Sequence, residues 1–524
     1  MGKGKHIIHK LVLQIEVPRR NTAQQVQDDA VRHFEQVLLK QLQKLLDEMD
    51  VPGHVLIDKI DLDLGSGKLE TVFEQLTASL GKALDPVVNP SALPSNEEEE
   101  AEILHLTLTE EQKAFNVFMH FISTGRLPWY AATDTDWLQQ EALWFSNLLS
   151  VLVRDSVSKS KLIRLFNASS VALSRLFKQF DIVSVKKLIV VLLAIDEQQV
   201  QKTVEAIAQQ IRLIVRGEAG ADEQQTIALL KDDSGNDKES DKNNQGENDP
   251  ISIGHKKAGT NLNFEQAELS EVIEKTLLAL WLRMGTTSLT SEGLGSKIAL
   301  LIIDLLQTSA RPSISKLIEI ADSVVKTETP LPASPQKNKP TLTPHRDEET
   351  NPVQKEDEGG IYVSQAGLVI LHPFLEYFFK DFGLLQDNDF VDLPARQLAV
   401  HLLHYLGTGN TNAFEYDLYF EKFLCRWPAD EPLEREVEIP QRMLEEGDNM
   451  LRTVIKYWKA LKNTSTEGLR EGFLNRNGKL IEAEQPARLI VERMDMDILL
   501  STLPWGMGVV KLPWMVEPFY VEWQ

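Results

Sequence analysis

The chain opens on a strand pattern. Over residues 7–17, Leu11, Leu13, Ile15 and Val17 fall on one face and Lys10, Gln14 and Glu16 on the other, with Val12 among them. Side chains two apart share a strand face, so this predicts a half-buried strand that Pro18 ends. The period then changes. Val26, Ala30, Phe34, Val37, Leu38, Leu42, Leu45, Leu46 and Met49 recur every three or four residues. That is the apolar stripe of a helix roughly 40 Å long at 1.5 Å per residue. Thr22 with Gln25 is a capping-box pattern at its start, and Pro52-Gly53 ends it. Residues 54–64 alternate again: Leu56, Ile60, Leu62 and Leu64 share a face with Asp58, while Lys59, Asp61 and Asp63 point away. A second amphipathic helix runs through Leu69, Val72, Phe73, Leu76, Leu80 and Leu84. The pattern predicts a strand–helix–strand–helix unit over residues 1–85. Two strands alone are marginal, so this sheet is expected to recruit another, from the C-terminal strands or a second subunit.

Residues 86–103 form a linker, with Pro86, Pro90, Pro94 and the run Glu97-Glu98-Glu99-Glu100. Residues 104–216 read as a helical domain: Phe115, Phe118, Met119 and Ile122 form one stripe, Trp144, Leu148, Leu152, Leu162 and Phe166 continue in short helices, and 183–216 in longer ones. No fixed repeat period emerges. Residues 217–262, rich in Asp, Asn, Gly, Lys and Ser, predict a disordered connector. A helical segment follows over 263–326, with stripes at Leu269–Met284, Ile298–Leu306 and Ile314–Val325, and then a second, proline-rich connector over 327–360. The C-terminal domain, 361–524, is dense in aromatics. The predicted fold class is mainly α with a small α+β part, ending in a C-terminal helical block closed by short strands.

The end of that block carries a distinctive motif. Leu503-Pro504-Trp505 and Leu512-Pro513-Trp514 repeat Leu127-Pro128-Trp129, each a rigid extended elbow presenting an indole. Val509-Val510 and Phe519-Tyr520-Val521-Glu522-Trp523 read as short strands, and so apolar an end is expected to dock into the fold. The candidate interaction or core-docking residues are therefore Leu127, Pro128, Trp129, Leu503, Pro504, Trp505, Leu512, Pro513, Trp514 and Trp523. Core packing is the favoured expectation for the elbows.

The 524 residues imply several domains. A formal net charge of −23 argues against binding nucleic-acid phosphates or anionic membranes. The longest apolar run, Leu188–Ile195, is far short of a membrane span. The basic start precedes strand-like residues rather than a signal-peptide core, and His6 stands where a myristoylation pattern wants a hydroxyl. Cys425 is the only cysteine, which excludes an internal disulfide and fits a reducing cytoplasm.

Candidate chemistry is thin. Gly65-Ser66-Gly67-Lys68 lacks the leading glycine and the following hydroxyl of a phosphate loop; Leu62 and Leu69 stand there. Gly293-Leu294-Gly295 lacks a third glycine and a preceding strand. His401 and His404 lie three apart on a predicted helix, but no third metal ligand stands at usable spacing. Asp58, Asp61 and Asp63 do not form a calcium loop, and Asp495 with Asp497 reads as well as a solvated edge as a carboxylate pair. Cys425, beside Leu424 and Trp427, reads as a small buried hydrophobe. Neither a nucleophile elbow nor a His–Glu zinc motif is present. The sequence predicts no enzyme and no cofactor or metal.

Several stretches together resemble the tape-measure-type proteins of extracellular contractile injection systems, which are phage-tail-like particles. Ile8-His9-Lys10-Leu11, the long helix and Ile57-Asp58-Lys59-Ile60-Asp61-Leu62-Asp63-Leu64-Gly65 look like the family's opening. Gly125-Arg126-Leu127-Pro128-Trp129-Tyr130 and Ala366-Gly367-Leu368-Val369-Ile370-Leu371-His372-Pro373-Phe374-Leu375 are similar to internal signatures. So are Leu402-Leu403-His404-Tyr405-Leu406 with Lys422-Phe423-Leu424-Cys425, and Trp458–Ser465 running into Leu469–Leu474. The double Leu-Pro-Trp close resembles its ending. Gln365 replaces an expected Asn, and Arg426-Trp427 an expected Gly-containing step. The resemblance implies a non-enzymatic assembly protein that sets tube or sheath length. It also implies partners among tube, sheath, baseplate or cap subunits, and cytoplasmic assembly with or without retention in the released particle. An assembly adaptor or chaperone that measures nothing is the alternative expectation. The predicted binding surfaces are the edge of the 7–17/54–64 sheet and the elbows.

Overall fold

The structure is a computed structural model. It describes residues 6, 8, 11, 13–15, 23–48, 54–57, 60, 62, 69–88, 105–131, 141–216, 266–284, 294–308, 312–328, 360–428, 431–483 and 486–523. The chain divides into two compact units: one holds residues 1–120, 127–151 and 345–362, the other 121–126, 152–344 and 363–524.

In the first unit the long predicted helix forms as α1 (Ala23–His33) and α2 (Leu39–Glu48), joined by a π-helical turn at Phe34–Leu38. The strand β1 (His54–Ile57), the helix α3 (Leu69–Val88) and the strand β2 (His105–Leu108) follow. Ala30, Leu38, Leu42 and Leu76 form a buried cluster, with Phe34, Leu62 and Leu80 against it. The predicted second strand is shorter than its alternation, since Ile60 and Leu62 lie beyond its end and Leu62 turns into this cluster. Its partner is also new: β1 pairs antiparallel with β2, Val55 opposite Thr107 and Leu56 opposite Leu106. Neither the C-terminal strands nor another subunit is needed for that pairing, because a short strand lies just ahead of the next helix. Of the first predicted strand, residues 8, 11 and 13–15 are described. They join no ladder among the described residues, and Ile8, Leu11, Leu13 and Ile15 are 36–52% exposed. Thr22 and the Gly65–Lys68 stretch lie outside the described residues.

The helix α4 (Glu110–Thr124) begins with a capping box: Thr109 N donates to Gln112 Oε1 at 3.0 Å, and Gln112 N donates back to Thr109 Oγ1 at 3.2 Å. After it, Val117, Tyr130 and Ala131 form a second small cluster, joined by Leu56, Leu127 and Trp129. The helix α5 (Glu141–Arg154) sets Trp144 5.8 Å from Phe118.

The second unit continues the helical series with α6 (Ser156–Ala168), α7 (Ser170–Gln179), α8 (Ile182–Leu193) and α9 (Glu197–Arg216). Asp155, Ser169 and Asp181 cap the starts of α6, α7 and α8 by accepting from backbone amides. The three stripes predicted in 263–326 form α10 (Gln266–Met284), α11 (Leu294–Thr308) and α12 (Ile314–Glu328). The helix α10 packs along α12 and α9, α11 along α9, and α12 along α7.

The C-terminal block contains β3 (Ile361–Val363), a 3-10 turn at Ala366–Leu371, α13 (His372–Asp381), the hairpin strands β4 (Leu385–Gln386) and β5 (Asp389–Phe390), and α14 (Leu393–Thr408). The helices α15 (Tyr419–Leu424), α16 (Gln441–Tyr457) and α17 (Thr466–Leu469) follow. The strands β6 (Gly478–Ile481), β7 (Arg488–Val491), β8 (Val509–Val510) and β9 (Phe519–Glu522) complete it. The sheet order is β3-β6-β7-β9-β8, with β9 parallel to β7 and antiparallel to β8. The two predicted terminal strands are thus present as β8 and β9. The strands β6 and β7 went unread because each alternates for only four residues. One apolar core runs through the block from Val363 to Trp523.

Candidate functional site

Three buried charges of the second unit meet at Glu415. Its carboxylate is fully buried, 2.9 Å from Arg175 Nε and 2.7 Å from Lys422 Nζ. Arg175, itself 1% exposed, also donates through Nη1 to the carbonyl of Ile122 at 2.6 Å. That carbonyl belongs to the last turn of α4, where unpaired C=O groups and the helix dipole favour a cation. Gly125 closes this helix end with φ +76, its N–H donating to Phe121 O at 2.7 Å. A Cβ there would lie 2.7 Å from Glu415 Oε1, so space as well as backbone conformation calls for glycine. Gln179 completes the network: its Oε1 accepts from Glu415 N at 2.8 Å, and its Nε2 donates to Leu433 O at 2.9 Å. Phe121 packs edge-on to Phe414 and Tyr416 beside it. A buried carboxylate is tolerable because two cations replace its water.

A second polar group lies on α14 and α15. His401 Nε2 is 2.9 Å from Glu434 O, and burial pulls its imidazole down to about 4. His404 Nδ1 is 3.4 Å from Glu421 Oε1. The Gln365 amide, with its nitrogen turned to the carboxylate, donates to the same oxygen at 3.3 Å. Among the described residues Glu421 Oε2 has no hydrogen-bond partner and is buried. Burial pushes Asp417 up to about 7. Cys425 is fully buried, as its apolar neighbours predict, and burial, reinforced by Glu421, pushes its thiol well up. The two histidines therefore serve separate hydrogen bonds. Among the described residues no three His, Cys, Asp or Glu are grouped to hold a metal ion.

The elbow residues separate by burial. Trp514 is 2% exposed and donates to Leu424 O at 2.8 Å, with Leu512 buried and Pro513 half-buried. Trp523, also 2% exposed, donates to Asp497 Oδ2 at 3.1 Å. Asp497 further accepts from Arg476 Nη2 at 2.7 Å and from Met494 N at 2.8 Å, while Asp495 is exposed. Trp505 and Leu503 are half-buried and Pro504 is exposed; Trp505 Nε1 donates to Ile370 O at 3.0 Å. In the first unit Pro128 is buried, Leu127 and Trp129 are half-buried, and Ala131 N donates to Pro128 O to close a turn. Trp427 and Trp458, not singled out by the sequence, use their indole N–H groups in the same way, on Glu431 O and Thr502 Oγ1. Sequence reasoning also missed Arg175, Glu415, Lys422 and Gln179. Arg175 stands 240 positions from its carboxylate, and no local pattern links residues so far apart.

The buried charges neutralise one another, and the indoles fasten backbone loops. The chain belongs to the family of contractile injection system tape measure proteins, matching that family over residues 5–523. Its role in such a particle is the structural one of a tape measure. No curated protein and no solved structure matches the chain. No described helix is long and apolar enough to cross a membrane.

Proposed function

We propose that this tape measure works without catalysis, its folded stretches docking on tube, sheath, baseplate or cap subunits while the chain's contour sets tube or sheath length. In this reading 1–85, 104–216, 263–326 and 361–524 are the folded stretches. The linker 86–103 and the connectors 217–262 and 327–360 join them. The observation that carries the reading is the family match over residues 5–523. The chemistry of the interior supports it: Arg175, Glu415 and Lys422 satisfy one another. Half-buried Trp505 and Trp129 fit a docking role better than buried Trp514 and Trp523, which fit core docking. Assembly in the cytoplasm belongs to the same reading. Whether the chain stays in the released particle is read by mass spectrometry of purified particles.

The test is sheath length by electron microscopy with the 217–262 connector shortened or doubled. Length changing in step with residues supports the ruler. Particles of unchanged length overturn it in favour of an adaptor.

A further inference from the structure

On the surface of the C-terminal block an aromatic row is left open beside a row of cations. Trp505 and Phe374, both half-buried, meet edge to face with ring centroids 5.2 Å apart, and Phe374 lies 6.3 Å from Tyr457. Tyr457 is 62% exposed, and Tyr377, three residues after Phe374 on α13, is 72% exposed. Residues three apart on a helix are surface neighbours, so Tyr377 extends the row. Large rings left this open are rarely explained by the stability of their own fold, and Tyr and Trp are favoured binding anchors. Lys456 and Lys459 flank Tyr457 in sequence, both exposed, and neither forms an ion pair among the described residues. The lysines stand out in a chain whose formal net charge is −23. Lys380, exposed on α13, is by contrast paired with Glu376.

We propose that this face, with Phe374, Tyr377, Tyr457 and Trp505 as its apolar floor and Lys456 and Lys459 as its charged rim, docks a short acidic protein segment carrying aromatic or aliphatic side chains. Charge complementarity selects the occupant. Two unpaired ammonium groups beside rings recognise carboxylates whose neighbours bury apolar surface. An acidic peptide and a nucleic acid both approach against the chain's net negative charge, but a short peptide carries less charge against it and brings apolar side chains for the rings. The proposal rests on the docking reading above and names the chemistry of one partner.

The probe is a fluorescein-labelled peptide of alternating Glu and Phe or Leu, titrated by anisotropy into the full-length protein. A Glu→Lys twin peptide and a single-stranded oligonucleotide are compared with it. Saturable binding that salt weakens, that the Lys twin lacks, and that Lys456→Glu/Lys459→Glu weakens about tenfold or more, is expected. Tyr457→Ala should weaken it as well, with binding of the twin still absent. All three substituted side chains are exposed, so an unchanged melting curve and circular dichroism spectrum are the check on folding. No saturable binding, equal binding by the variants, or tighter binding of the oligonucleotide overturns the proposal. Sheath lengths in the connector series test the tape-measure reading separately, because they can track connector length whether or not this face binds the peptide.

Discussion

The two compact units hold themselves together in different ways. In the first, two small groups of buried side chains stand apart, Ala30, Leu38, Leu42 and Leu76 in one and Val117, Tyr130 and Ala131 in another, with Phe115, Phe118, Phe145 and Leu148 buried outside both. In the C-terminal block of the second, one apolar group runs from Val363 to Trp523, and polar networks thread it. Small clusters let a region open locally at modest cost, whereas a continuous core ties distant segments into one cooperative event. Damage to the Ala30–Leu76 group is therefore expected to stay local, and damage to the block to spread through it.

The most severe test is Gly367→Ala. A Cβ there would lie 1.7 Å from the carbonyl oxygen of Phe473, a backbone atom that has no rotamer to escape into. A loss of about 4 kcal/mol or more is expected, visible as a collapsed near-ultraviolet dichroism signal. Gly508→Ala, where a Cβ meets nothing within 4 Å, should leave that signal intact and makes the control. Glu415→Ala comes next. It strands Arg175 and Lys422 in the interior, at about 3–5 kcal/mol by denaturant unfolding. Replacing all three with Met, Leu and Met should recover most of that loss, since well-packed apolar side chains can substitute for a buried ion network.

In the first unit Leu42→Ala should cost about 2–4 kcal/mol. Its signature separates the two regions: amide exchange should quicken across 23–48 while 363–523 stay protected. Equal acceleration in both would erase the contrast.

A pH series sharpens the same comparison inside the block. The folded state holds the Asp417 proton up to about 7 against an ordinary value of 3.8, so Asp417 contributes stability at low pH that is lost as pH rises through that window. His401, lowered from 6.5 to about 4, acts in the opposite sense: its contribution is lost as pH falls from 6.5 to about 4. The two slopes oppose each other between about 4 and 6.5. Asp417→Asn should melt higher than the parent at pH 7.5, with the gap shrinking on acidification. A gap independent of pH would remove Asp417 as its source. The smallest effect is Thr109→Ala, which breaks the capping box at the start of α4 and should cost about 1 kcal/mol in thermal melts.

Local periodicity was enough to read α1 through α3, the helices between 141 and 216, the three helices of 266–328, and the short strands at Val509–Val510 and Phe519–Glu522. Helix and strand stripes are written in the spacing of neighbouring residues, so one stretch suffices to reveal them. Partnership is not written there. Nothing near His54–Ile57 marks His105–Leu108 as its ladder partner, and Arg175 and Glu415 each look like ordinary surface residues until the fold buries them together. The same holds for the elbows. The proline and indole of each Leu-Pro-Trp follow from the sequence alone, as does the strand-like end of the chain. Whether an indole faces the core or the surface was decided by tertiary packing. A carbonyl of Leu424 and a carboxylate of Asp497 await Trp514 and Trp523 inside, while Trp505 is left half-covered beside Phe374. The reason is that burial depends on what the rest of the chain brings to a position, which spacing along the backbone does not encode.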